Sequence, residues 1–160
     1  MKRHEAMEIN LKQQKVISDP LRTQIIQLLD EKPMTPKQTA DRLNKNPGTI
    51  YYHIQQLFKH AILEIDHVST EKGIVEKYYK SKATLFKSPG DGNEDFHSKS
   101  QVFLTMSEEL LEAMNYDIQE LFFDYAKKAM EETSDKKSYQ CEFLVKEYEG
   151  SESDKEEEEK

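Results

Sequence analysis

Between Thr35 and Lys82 two short, well-punctuated helical segments stand three residues apart and run straight into a pair of strand-like segments. Thr35 precedes Pro36, and Gln38 follows three residues after Thr35. That is a Thr-x-x-Gln capping box with proline in the first turn, a strong helix start. Asn46 and Pro47 repeat the device for a second helix. Only Asn44 to Asn46 separate Leu43 from Pro47. So short a turn makes the two helices cross steeply, as in a helix-turn-helix.

The second helix has two chemical faces. Ile50, His53, Ile54 and Leu57 follow the i, i+3, i+4, i+7 spacing and are expected to face the core. At about 100° per residue the opposite face centres on Gly48, Tyr52, Gln55 and Lys59, with Thr49, Tyr51 and Gln56 on its flanks. A solvated helix face normally mixes Glu with Lys, yet no acidic residue occurs from Thr49 to Ala61. Amides and hydroxyls can read base edges, and lysine and tyrosine can hold phosphates. Gly48, Thr49, Tyr51, Tyr52, Gln55, Gln56 and Lys59 are therefore candidate DNA contacts.

Ile62–Val68 and Ile74–Lys80 are rich in β-branched and apolar residues, with the polar Ser69–Gly73 between them, a hairpin loop closed by glycine. Lys72 would stand at its tip, with Lys77, Lys80 and Lys82 on the return strand. Lys72 and Lys77 join the candidate DNA contacts, although lysines also protect exposed strand edges. Tyr78 and Tyr79 are neighbours on one strand, so at most one of them belongs to the core. Two helices and a β-ribbon make a winged helix-turn-helix, which places one helix in the major groove. The expected fold class is mainly α with a small β-hairpin wing, followed by C-terminal amphipathic helices.

Three strings carry a family resemblance: Asp19-Pro20-Leu21-Arg22 entering Ile25–Leu29, Pro47-x-Thr49-Ile50-Tyr51-Tyr52-His53-Ile54, and Gly73-Ile74-Val75-Glu76-Lys77-Tyr78-Tyr79-Lys80. Their order and spacing resemble the ArsR-type winged-helix transcriptional regulators, in particular the branch with a Gly-Ile-Val-Glu-Lys-Tyr-Tyr wing string. The resemblance covers roughly residues 10 to 85, about half of the chain. It implies a dimeric bacterial or archaeal DNA-binding protein, usually a repressor, acting on an inverted-repeat operator. The family usually places glycine after the recognition helix, where this chain has His60-Ala61-Ile62. A left-handed Ala61 would cost on the order of 1 kcal/mol relative to glycine.

Founding members of that family sense metals through paired cysteines or a C-terminal Asp/His/Glu set. This chain has one cysteine, Cys141, and its five histidines show no metal-binding spacing. No metal or other cofactor is expected. His53 reads as a hydrogen-bonded histidine at the core edge, and His60 lies at the helix C-terminus, where a positive ring is favoured. With no glycine-rich phosphate loop and no nucleophile elbow, the chain does not read as an enzyme.

The net charge of −8 suits a DNA binder only once it is divided. Residues 1–88 hold 15 Lys/Arg against 10 Asp/Glu, a net of +5. Residues 89–160 hold 8 against 21, a net of −13, and the two halves give the total of −8. The basic half is the half with the helix-turn-helix, where phosphates must be neutralised. No apolar run approaches the ~18 residues of a membrane span, the N-terminus has no apolar signal core, and a single cysteine suits a reducing compartment. A cytoplasmic location and no membrane partner are expected.

Outside the motif, Ile9–Val16 reads as helical. Ser18 or Asp19 caps a helix with Pro20 in its first turn and an apolar stripe of Leu21, Ile25, Leu28 and Leu29. Arg22 is expected to pair with a carboxylate or stay solvated rather than reach a phosphate. The expected organisation is a winged-helix DNA-binding domain (1–87), a Pro/Gly/Asn-rich linker (88–97), a helical region (98–148) and a disordered acidic tail (149–160). In the helical region Val102, Phe103, Met106, Leu110, Met114, Ile118, Leu121, Phe122, Tyr125 and Ala129 recur every three or four residues from a start at Ser98 or Ser100. Asn115–Asp117 is a weak point where a break or kink is expected. Tyr139–Tyr148 reads as a strand or short helix. Phe103, Met106, Leu110, Met114, Ile118, Phe122 and Tyr125 are the candidate surface for dimerisation or for a hydrophobic small-molecule effector.

The reading that follows is a sequence-specific regulator binding double-stranded DNA as a homodimer. The alternatives are a winged-helix protein-interaction module and a weakly specific architectural DNA binder.

Overall fold

The computed structural model describes residues 5–88 and 99–148. The chain divides into two compact units, Met1–Leu104 and Thr105–Lys160.

In the first unit the elements follow the order β1 (Ala6–Glu8), α1 (Leu11–Ile17), α2 (Pro20–Glu31), α3 (Pro36–Leu43), α4 (Pro47–Lys59), β2 (Leu63–Glu71), β3 (Ile74–Ser81) and β4 (Leu85–Lys87). Each helix starts at a side-chain cap that satisfies otherwise orphaned backbone donors. Asn10 and Gln13 form a capping box on α1, and Thr35 and Gln38 form the expected one on α3. Asp19 caps α2 by accepting from the Arg22 backbone N–H, and Asn46 caps α4. Proline stands in the first turn of α2, α3 and α4.

Both ends of the helix-turn-helix close through left-handed residues. Asn44 has φ 52°, and Lys45 and Asn44 donate to the carbonyls of Ala40 and Asp41. Ala61 has φ 58°, so the chain makes a left-handed cap there without glycine. The Ile62 N–H reaches Leu57 O at 2.9 Å and the Ala61 N–H reaches Phe58 O at 3.0 Å. This is a Schellman closure, and its apolar partners Ile62 and Leu57 are both fully buried.

The core gathers Ile9, Ile25, Ile26, Leu29, Ala40, Ile50, Ile54, Leu57, Ile62, Leu63 and Tyr79. Helix α4 packs against α1, α2, α3 and β2, so the candidate recognition helix rests on most of the unit. Strands β2 and β3 are antiparallel, from Leu63↔Ser81 at the base to Glu71↔Ile74 at the tip, with a bulge at Asp66 between Ile65 and His67.

Three expectations for this unit change, and one strand pair is new. The hairpin loop is not Ser69–Gly73. The strands continue to Glu71 and from Ile74, and Lys72 (φ 49°) with Gly73 (φ 80°) make a two-residue turn. Two positive φ values match the twist of the flanking strands, which a five-residue loop does not enforce. The segment Ile9–Val16 is not helical throughout. Ile9 is buried in the core, and α1 begins at Leu11 after its Asn10 cap. The parallel pair β1–β4, with Met7 opposite Phe86, was not anticipated. Arg22 neither pairs with a carboxylate nor stays solvated: it is 8% exposed, and its guanidinium bonds Val16 O and His53 Nδ1, each at 3.0 Å.

The second unit contains one described helix, α5 (Glu108–Glu131), capped by Ser107 with Glu108 and Glu109 in its first turn. The expected start at Ser98 or Ser100 is corrected. Ser98 lies outside the described residues, and residues 99–106 carry no helix. Acidic residues at the helix's positive end favour the Ser107 start. The helix runs unbroken through Asn115–Asp117, since penalties of a few tenths of a kcal/mol per residue are spread over 24 residues. Tyr139–Tyr148 forms neither strand nor helix and is exposed. Most of the expected linker and the acidic tail lie outside the described residues. Along α5 no residue is buried.

The Ala61 closure gives a direct stability test. Ala61→Gly is expected to raise the unfolding free energy by about 0.5–1 kcal/mol, because relief of left-handed strain exceeds the added chain entropy. Thr35→Ala is expected to lower it by about 1 kcal/mol through loss of the cap. Urea unfolding of the full chain reads both, and a destabilised Ala61→Gly contradicts the strain argument.

Candidate nucleic-acid interface

Helix α4 acquires its exposed face by burying the other one. Ile50, Ile54 and Leu57 are fully buried, which turns Gly48, Tyr51, Tyr52 and Lys59 outward with Phe58 beside them. Tyr51 is 55% exposed and Tyr52 37%. Thr49, Gln55 and Gln56 are half-buried on the flanks of this face. The candidate contacts on α4 thus occupy one continuous side of the helix.

The first turn is held by Asn46, whose Oδ1 accepts from the Gly48 N–H at 2.8 Å and the Thr49 N–H at 3.4 Å. A Cβ on residue 48 would come within 3.1 Å of that oxygen, so the glycine leaves the cap uncrowded. At the far end, Gln13 Nε2 donates to His60 O at 2.9 Å, and His60 Nδ1 lies 2.9 Å from Gln56 O. Arg22 Nε donates to His53 Nδ1, so His53 is hydrogen-bonded at the edge of the core. The helix is gripped at both ends and at its middle.

Gln55 is tied to the wing. Its Nε2 donates to the Tyr79 hydroxyl at 3.1 Å. The Tyr79 ring is 3% exposed and meets Phe58 edge-on at 5.6 Å. The Tyr79 backbone in turn exchanges two hydrogen bonds with Met34 between α2 and α3. One tyrosine therefore couples α4, the wing and the segment before α3, while Tyr78 points the other way and stacks on His67 at 4.2 Å.

On the wing, Lys72 stands at the tip and Lys77 opposite Val68, both exposed. Lys80 is engaged differently, 3.4 Å from Glu64 and 3.3 Å from Asp66. His67 Nδ1 donates to the other Asp66 oxygen at 2.7 Å. The His67 hydrogen bond, aided by Lys80, holds the Asp66 carboxyl below the usual carboxylate range. Asp66, then Glu64, pushes the Lys80 ammonium above its usual value. The Asp66 contribution is lost as pH falls through its depressed pKa. The Lys80 contribution is lost as pH rises through its raised one, which leaves a plateau from about 4 to 10. Both groups face water, so they orient the ribbon base more than they stabilise it.

The sequence reading passed over Lys45 and Phe58. Lys45 is exposed in the turn that leads into α4, and a basic residue there was legible. Phe58 is exposed beside Lys59, and only its contact with Tyr79 explains its place. The candidate dimerisation or effector residues divide. Leu110, Met114, Ile118, Phe122 and Tyr125 lie on α5, Met106 precedes it in the second unit, and Phe103 falls in the first unit. Among the described residues no three His, Cys, Asp or Glu side chains gather as a metal site, and no helix is long and apolar enough to cross a membrane.

Comparison with known proteins places these observations. A family described as a helix-turn-helix domain matches residues 17–66. No curated protein matches the chain. Among solved structures, the chain is similar to the homodimeric winged helix-turn-helix DNA-binding domain of Mb0332 from Mycobacterium bovis, at 21% identity and a TM-score of 0.37, over 44% of this chain and 60% of that one. It is similar to HlyU from Vibrio cholerae at 16% identity and a TM-score of 0.38, over 46% of this chain and 73% of that one. It is also similar to the adhesin competence repressor AdcR from Streptococcus pyogenes at 13% identity and a TM-score of 0.34, over 74% of this chain and 69% of that one.

The Asp66 assignment is testable by carboxyl-detected NMR titration. His67→Phe keeps an aromatic ring against Tyr78 but removes the N–H donor. It is expected to move the Asp66 pKa upward, as is Lys80→Met, and an unchanged or lowered pKa would contradict the assignment.

Proposed function

We propose that this chain is a sequence-specific transcriptional regulator that binds double-stranded DNA as a homodimer, acting as a repressor on an inverted-repeat operator in the cytoplasm. The observation that carries the reading is the outward face of α4. It is exposed, continuous and free of carboxylates, and it is mounted on a helix-turn-helix whose wing supplies exposed lysines. The family match over residues 17–66 supports the helix-turn-helix. The net charge of +5 over residues 1–88 supports contact with phosphates.

In this reading Gly48, Thr49, Tyr51, Tyr52, Gln55 and Gln56 face base edges. Lys59, Lys72 and Lys77 face phosphates. Gln55 acts through its carbonyl oxygen and its second amide N–H, since the first N–H is given to Tyr79. The second unit supplies the dimer contact. A helix of 24 residues without one buried position leaves Leu110, Met114, Ile118, Phe122 and Tyr125 along one side, and a second copy of α5 covers them. Two helix-turn-helix units then meet half-sites about 34 Å apart.

Fluorescence anisotropy of the full chain on its own upstream duplex and on a scrambled duplex, across a salt series, tests the reading. Tighter binding to the upstream duplex, falling steeply with salt, is expected. Lys59→Ala is expected to reduce the salt slope by roughly 2 for a dimer, one lost phosphate contact from each copy. Binding to neither duplex at low salt would favour a protein-interaction module instead.

The dimer contact has its own test. Ile118→Glu is expected to convert the chain to a monomer in sedimentation velocity and to weaken operator binding, with the helix-turn-helix still folded. A dimer that survives this change contradicts the assignment to α5.

A further inference from the structure

The outward side of α4 is as informative in what it lacks as in what it holds. The commonest specific contact in the major groove is an arginine or lysine bidentate to guanine O6 and N7. The chain has three arginines. Arg3 lies outside the described residues, Arg22 is buried against His53 and Val16, and Arg42 belongs to α3. The one cation on α4 is Lys59, the last residue of the helix, whereas a recognition helix reads bases with its N-terminal residues. The first turns of α4 therefore carry no guanine reader.

The usual adenine readers, Gln55 and Gln56, lie in the third turn of α4 and not in its first two. A glutamine reads adenine by donating to N7 and accepting from the N6 amino group at once. Gln55 gives one of its two amide N–H donors to the Tyr79 hydroxyl at 3.1 Å. Its second N–H and its carbonyl oxygen remain, held in the orientation that this bond sets. What remains in the first two turns is aromatic surface: Tyr51 and Tyr52, adjacent in sequence and both turned outward, with the half-buried Thr49 three residues before Tyr52. Only one base offers an apolar partner in the major groove, thymine with its C5 methyl.

We infer that the half-site of this helix is A·T-rich and that Tyr51 and Tyr52 recognise thymine through its C5 methyl group. The inference rests on the DNA-binding reading above and names the sequence class that reading would address. The rings do the work through apolar contact, so the phenol hydroxyls are dispensable for discrimination.

The test uses the full chain and a random duplex library, carried through rounds of selection. The winning duplex is then resynthesised with deoxyuridine at single thymine positions, which removes one methyl group and leaves the hydrogen-bonding edge intact. An A·T-dominated core is expected, in which loss of a contacted methyl weakens binding about fourfold. Tyr51→Phe and Tyr52→Phe should keep that sensitivity, and Tyr51→Ala or Tyr52→Ala should abolish it at the thymine each contacts. A guanine-centred core, uracil binding as well as thymine at every position, or methyl sensitivity that survives both alanine changes would overturn the inference. Enrichment of no duplex would overturn the DNA-binding reading itself. The uracil arm changes the DNA and not the protein, so misfolding cannot mimic its result.

Discussion

The arrangement of the first unit depends on Tyr79. Its backbone bonds to Met34, its hydroxyl accepts from Gln55, and its ring packs edge-on against Phe58. A two-stranded ribbon alone is marginal in water. Here the base of the ribbon is held by a buried aromatic ring and by two backbone bonds to the segment between α2 and α3. The outward face of α4 and the wing are consequently fixed relative to each other by one residue. In the proposed function, that keeps the wing lysines in a constant position relative to the outward face of α4.

The same economy shows at the helix ends. Asn46 holds the first turn of α4, Gln13 of α1 donates to the carbonyl of its C-cap His60, and Arg22 holds its middle through His53. Each bond contributes only about 1 kcal/mol net. Together they specify the orientation of α4 on a core that already buries Ile50, Ile54 and Leu57. At Ala61 the closure accepts left-handed strain, offset by burying Ile62 against Leu57. The tight connection into the ribbon follows from that closure.

The helix-turn-helix was legible because its signals are local. Thr35 with Gln38, Asn46 with Pro47, and the spacing of Ile50, Ile54 and Leu57 each act within one or two turns of backbone. The misreadings share the opposite property. Arg22 looks like a surface cation until Val16 and His53 are brought to it. The three-residue strand at Ala6–Glu8 exists only because Leu85–Lys87 lies alongside, and three residues carry no periodicity to detect. In the second unit, apolar spacing alone extended the helix back to Ser98 or Ser100, while the Ser107 cap and its acidic first turn set the start of α5.

By itself the sequence determined where helices α2 to α4 begin, which face of α4 turns inward, which half of the chain is basic and that the ribbon follows at once. Caps, short periodicities and charge are properties of neighbouring residues, and no distant contact is needed to read them. Tertiary structure decided that Tyr79 rather than Tyr78 enters the core, that Gln55 gives its amide nitrogen to the wing, and that Arg22 is buried against α4. Those outcomes depend on which surfaces meet when the ribbon and α1 close over α4, and pairings between residues 24 to 47 positions apart in the chain leave no local trace.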